Sequence, residues 1–199
     1  MTTKRPKSSR ARLFAALDLP DALRDGLARW GAGALGDPAL RPLRPEALHL
    51  TLVFLGYLPE ARIPQVAEIV RATDAAAPEL RFEPAAVPIP RSRPRLFAID
   101  APSEGAIGVQ ADLAGRLESA GLYRPETRPF WPHLTVAKVR AEGGGSRRPA
   151  RVATPPEDLP APLLEPFRAV RLALYRSQLR PSGAEYVSLA NVELPSPGG

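Results

Sequence analysis

Apolar residues along this chain fall into short blocks whose spacing switches between the period of a strand and that of a helix. Leu13 to Leu19 is a compact apolar run bounded by charge and predicts a strand. Pro20 and Asp21 supply a helix start, after which Leu23, Leu27, Trp30 and Ala34 recur on one helical face. Gly36 to Pro45, rich in Pro and Gly, reads as a loop leading into Leu48 to Leu55, the most strand-like segment of the chain. A second helix follows, with Ile63, Val66, Ala67 and Val70 as its apolar face and a start that the prolines leave open between Pro59 and Pro64.

The second half repeats this order. A strand is expected around Leu96 to Ile99, then Pro102, Ser103 and Glu104 open a helix whose face is Ala106, Val109, Leu113 and Leu117, and a strand follows over His133 to Val139. The stretch Gly143 to Pro162 has too many glycines and prolines for regular structure, so about 141–162 is expected to be a long mobile loop. Two last strands, Ala169 to Tyr175 and Tyr186 to Leu189, are joined through Pro181, Ser182 and Gly183. The order suggests a duplicated strand and helix unit, each copy ending in a histidine-bearing strand, within an α+β fold.

Composition narrows the chemistry. The 199 residues fit one domain or two small lobes sharing a core, and no apolar run approaches the ~20 residues a bilayer helix needs. Met1 to Arg12 is basic and polar without the apolar segment of a signal peptide, which leads us to expect a cytoplasmic protein. The absence of cysteine removes disulfides, thiolate metal sites and cysteine nucleophiles together. A formal charge of +6, carried mostly by arginine, suits a polyanionic partner such as RNA, although an Arg-, Ala- and Pro-rich composition accounts for much of it. Lys4, Arg5, Lys7, Arg10 and Arg12 hold part of the excess in what reads as a solvated arm.

The two histidines are the only ones in the chain, and both stand in the same setting: Leu48-His49-Leu50-Thr51-Leu52 and Pro132-His133-Leu134-Thr135-Val136. Alternation along a strand puts histidine and threonine on one face and the aliphatic residues on the other. Two such strands related by an approximate twofold axis would gather two imidazoles and two hydroxyls around one cleft. Histidine's unperturbed pKa of about 6.5 suits it to taking a proton as imidazole or giving one as imidazolium. The threonine hydroxyls can donate to non-bridging phosphate oxygens, so phosphodiester hydrolysis fits the set without a metal or other cofactor.

Paired His-x-Thr-x motifs identify the chain as similar to the 2H phosphoesterase superfamily. The details resemble its RNA 2',3'-cyclic phosphodiesterase, or 2'-5' RNA ligase-like, branch: Arg12 to Pro20, Leu48 to Gly56, Arg128-Pro129-Phe130-Trp131-Pro132-His133-Leu134-Thr135, and Ser177-Gln178-Leu179 with Gly183 and Tyr186. The resemblance implies a bilobal fold, with two antiparallel sheets facing a central groove, helices outside and a pseudo-twofold duplication. It implies hydrolysis of a 2',3'-cyclic phosphate to a 2'-phosphate, with His49 as proton donor and His133 as acceptor. The residues alone leave that polarity open.

Thr51 and Thr135 are the expected phosphate ligands. Arg128, in the loop before the second motif, is a third through its planar guanidinium. Lys138 departs from the family's arginine three residues after the second threonine, and strict alternation turns it to the opposite face from His133, so it reaches the phosphate only if the strand ends or bulges. Trp131, Phe14, Tyr123 and Tyr175 are candidates for stacking a base.

The expected organisation is a disordered tail at 1–11, a single bilobal catalytic domain at 12–194 and a tail at 195–199. The partner is RNA with a 2',3'-cyclic phosphate end or a small cyclic nucleotide, handled by a monomer with no membrane. RNA 2'-5' ligation by the reverse reaction, a small cyclic nucleotide phosphodiesterase and a non-catalytic RNA- or nucleotide-binding module are the competing readings. The paired histidines speak against the last, because a binder needs no acid and base.

Overall fold

Two strand-helix-strand units set the architecture. The computed structural model of the protein describes residues 9–143, 145–180 and 183–195. Lys4, Arg5, Lys7, Pro181, Ser182 and most of the terminal tail therefore lie outside the described residues. In the first unit β1 (Arg10–Asp18) leads through α1 (Asp21–Ala34) to β3 (His49–Pro59); in the second β6 (Leu96–Asp100) leads through α3 (Glu104–Ser119) to β7 (His133–Val139). Each pair of strands is antiparallel. The remaining elements are β2 (Leu40–Pro42), α2 (Ile63–Arg71), β4 (Glu79–Leu80), β5 (Ala86–Ile89), β8 (Phe167–Arg168), β9 (Arg171–Arg180) and β10 (Gly183–Glu193).

The strands form one sheet of order β10-β9-β1-β3, a second of order β2-β7-β6-β5 and a small β4-β8 ribbon. The fold is α+β, as expected, but the sequence pattern overlooked β2, β4, β5 and β8. All are short, and Pro42 and Pro88 sit within two of them, which limits those strands to sheet edges. Strand β1 also begins at Arg10, inside the stretch expected to be a disordered tail. Arg10 and Arg12 are thus sheet residues and not part of a solvated arm.

Burial explains why these elements form. Leu13, Leu17, Leu50, Ile99, Leu113, Leu117, Leu134, Leu172 and Leu174 are wholly buried in one continuous core beneath the sheets. At about 25 cal/mol per Å² of apolar surface removed from water, each such leucine contributes roughly 2 kcal/mol. Helix α3 starts where the sequence suggested, with Ser103 Oγ accepting from the Ala106 N–H at 3.1 Å and donating to the Glu79 carbonyl at 2.6 Å. Pro59 closes β3, a short turn follows, and α2 carries Pro64 in its first turn.

Among its described residues, the long loop after β7 has no regular elements apart from one bridge, Ala141 to Pro149, and a short turn at Ala161–Leu163. It is nevertheless tied down. The Asp37 carboxylate accepts from the N–H groups of Ala39, Ala153 and Thr154, each at 2.8 Å, and these bonds hold its pKa below the usual carboxylate range, that from Thr154 most of all. Leu159 and Leu163 are buried in the core. No helix among the described residues is long and apolar enough to cross a membrane.

Candidate active site

Register places the site residues. Asp18 pairs with His49, Leu17 with Leu50 and Ala16 with Thr51; in the other unit Asp100 pairs with His133, Ile99 with Leu134 and Ala98 with Thr135. Cross-strand partners share a face, so each histidine and threonine stands with an aspartate and an alanine on one side while the leucines enter the core. All four site side chains are half-buried. Strands β3 and β7 pack against each other, and the His133 charge is felt at His49. The two polar faces therefore look into a common groove.

Immediately after each threonine the ladder skips one residue. Ala15 faces Val53 while Ala16 faces Thr51, leaving Leu52 unpaired; Phe97 faces Ala137 while Ala98 faces Thr135, leaving Val136 unpaired. A bulge of this kind reverses the alternation beyond it. Leu52 and Val53 are both buried, as are Val136 and Ala137, and the next residues, Phe54 and Lys138, are returned to the histidine face. The expectation from strict alternation is thus corrected for Lys138. It faces Arg41 across the β2-β7 ladder, and burial, followed by the charges of Arg41 and Arg12, lowers its pKa.

The surroundings of the two imidazoles differ. His49 stacks on Phe14 with ring centroids 4.8 Å apart, lies 5.9 Å from Tyr175 and meets Tyr186 edge-on at 5.2 Å. Behind it Asp18, only 2% exposed, accepts from the Tyr175 hydroxyl at 2.8 Å and from Arg171. Burial pulls the His49 pKa down to about 4; the Asp18 charge opposes this, and the charges of Lys138 and His133 reinforce it.

His133 instead stacks on Trp131 at 4.1 Å, and its Nδ1 lies 2.7 Å from the Trp131 carbonyl oxygen. A carbonyl can only accept, so Nδ1 carries the proton and Nε2 of the neutral ring is left as a base. Asp100, the counterpart of Asp18, keeps a buried Oδ1 without a hydrogen bond.

Of the residues singled out in the sequence, His49, Thr51, His133, Thr135 and Lys138 share the groove face. Arg128 does not join them: its side chain is 86% exposed and its contact is Glu126 at 3.5 Å. Phe14 and Tyr175 pack beside His49, and Trp131 beside His133, so these aromatics hold the imidazoles. Tyr123 packs against the core. Sequence reasoning missed Asp18, Asp100, Arg171 and Tyr186 as neighbours of the histidines, together with Arg12, Arg41 and Arg44 further along the groove. A cavity of about 600 Å³ lies there, lined by Arg41, Arg44, Glu46, Lys138, Glu185 and Tyr186 among others.

Comparison with known proteins shows the family and the fold. Residues 17–96 match the family described as LigT like phosphoesterase. An RNA 2',3'-cyclic phosphodiesterase of Methanothermobacter thermautotrophicus is 30% identical over 185 residues, covering 90% of this chain and 97% of that protein. The chain belongs to the LigT-like phosphoesterase family. A further member, an RNA 2',3'-cyclic phosphodiesterase of Thermus thermophilus, is 29% identical over 92% of this chain and 90% of its own length. Among solved structures, a crystal structure of a Thermus thermophilus protein superposes on this LigT-like chain with a TM-score of 0.75 at 28% identity, covering 94% of this chain and 99% of that one. The apo crystal structure of Escherichia coli LigT does so with a TM-score of 0.72 at 25% identity, covering 95% and 100%.

Proposed function

We propose that this LigT-like phosphoesterase hydrolyses 2',3'-cyclic phosphates of RNA ends or nucleosides to 2'-phosphates, with His133 as proton acceptor and His49 as proton donor, within one bilobal unit that begins with β1 at Arg10. His133 Nε2 takes a proton from water as the water oxygen forms a bond to phosphorus. The bond from phosphorus to the 3' oxygen breaks, and the electron pair leaving on that oxygen receives a proton from the His49 imidazolium. Thr51 and Thr135 donate to the non-bridging oxygens, where negative charge grows in the transition state. Solvent then returns both rings to their starting protonation.

The observation that carries the reading is the paired His and Thr face, made asymmetric by the bond between His133 Nδ1 and the Trp131 carbonyl. That bond leaves a lone pair for the base. A proton donor beside phosphate must be charged, and a pKa of about 4 makes His49 neutral at pH 7 in the free protein. The cyclic phosphate supplies the missing charge, since an anion beside the ring favours the imidazolium. Substrate binding is thereby coupled to proton uptake at the donor, and the resemblance to the superfamily implies the same polarity.

The test is to incubate the protein with a nucleoside 2',3'-cyclic phosphate in the presence of EDTA and to identify the product by phosphorus NMR. The 2'-phosphate is the expected product, made at the same rate with and without chelator. Formation of the 3'-phosphate, or loss of turnover in EDTA, contradicts the mechanism. Binding of the nucleotide without any turnover replaces it with a binding module.

A further inference from the structure

Beyond Thr135 on the same strand, Lys138 lines a basic cavity. Arg41 and Arg44 line it, and Arg12 lies close enough for its charge to act on both Lys138 and Tyr186. Glu46 and Glu185 also line the wall, so the cavity is mixed in sign with cations in excess. Among the described residues, none of Arg12, Arg41 and Arg44 forms an ion pair, whereas Arg24, Arg71, Arg116, Arg148, Arg168, Arg171 and Arg176 each pair with an aspartate or glutamate. Cations held together in this way repel one another, and an anion between them removes that cost. Arg12 lies over the Phe54 ring at 4.8 Å, and Phe54 is 45% exposed. An arginine on an exposed ring is the combination that accepts a phosphate and a stacked base from a single strand.

The cavity adjoins the reacting centre through Tyr186. Tyr186 lines it and also meets the His49 ring at 5.2 Å. Lys138 follows Thr135 by three positions on the same face, which at ~3.3 Å per residue is about 10 Å and within reach of the next linkage of an RNA chain. We propose that Arg12, Arg41 and Arg44 form a subsite for the phosphodiester that precedes the reacting ribose, so that the groove prefers an oligonucleotide end to a free nucleoside cyclic phosphate. This rests on the phosphodiesterase reading and adds to it a choice of substrate length. Arg41 and Arg44 are exposed side chains outside the catalytic set, so their replacement leaves folding and the chemical step intact.

The experiment compares kcat/KM for a nucleoside 2',3'-cyclic phosphate with that for a dinucleotide ending in the same group, in the unchanged protein and in Arg41→Gln and Arg44→Gln. The unchanged protein is expected to favour the dinucleotide by about 10-fold. Each variant loses about 3- to 10-fold on the dinucleotide through KM, with a shallower salt dependence, and nothing on the mononucleotide. Equal losses on both substrates, or no preference in the unchanged protein, would overturn the subsite while leaving the phosphodiesterase reading in place. Turnover of neither substrate would overturn that reading and the subsite with it.

Discussion

Around His49 the groove is aromatic and closed: Phe14, Tyr175 and Tyr186 surround the ring, and a buried aspartate behind it is satisfied by Tyr175 and Arg171. Around His133 it is open: one exposed indole stacks on the ring, a backbone carbonyl fixes its tautomer, and the equivalent aspartate has a buried oxygen without a partner. The backbones of the two half-sites match down to the bulge after each threonine. What distinguishes the two half-sites is therefore the packing placed on a duplicated strand. Burial, reinforced by the charges of Lys138 and His133 and opposed by that of Asp18, lowers the pKa of His49.

The largest expected effects remove the rings. His49→Ala and His133→Ala should each lower kcat by about 10³-fold, roughly 4 kcal/mol of transition-state stabilisation, as measured by single-turnover assays. A variant retaining a tenth of the activity would show that its half-site is dispensable. Next come the hydroxyls. Thr51→Val and Thr135→Val keep shape but lose the donor, and each should cost about 10- to 100-fold in kcat with KM little changed, since the lost bonds strengthen in the transition state.

The aspartates then separate the halves. Asp18→Asn strips Arg171 and Tyr175 of their acceptor charge and should cost about 2–4 kcal/mol in urea unfolding. Asp100→Asn replaces a carboxylate that has an unbonded buried oxygen, and should shift stability by less than about 1 kcal/mol. Equal effects would erase the contrast. The smallest effect belongs to Arg128→Ala, which should change kcat/KM by less than about twofold, because that side chain is solvated.

Much of this was legible in the sequence because it depends on local period alone. His49 and Thr51, and His133 and Thr135, share a face by simple alternation, and the helices announce themselves through Pro20, Ser103 and their apolar spacing. Lys138 escaped for the opposite reason. The bulge at Val136 is a relation between two strands, and nothing within Leu134 to Lys138 records it. Arg12 and Arg41 escaped similarly, since one looked like part of a tail and the other like part of a loop until pairing placed them in sheets. Arg128 shows the converse, a residue near the motif in sequence whose side chain the fold leaves in solvent.

The proposed division of roles between the two duplicated histidines is most directly tested by nitrogen NMR of the ring atoms in histidine-labelled protein, titrated with and without a bound 2'-nucleotide. His133 should carry its proton on Nδ1 when neutral. His49 should stay neutral from pH 7 down to about pH 4 in the free protein, and take up its proton at higher pH once the phosphate is bound. A His49 that titrates near 6.5 and does not respond to the nucleotide, together with a His133 protonated at Nε2, would contradict that division of roles.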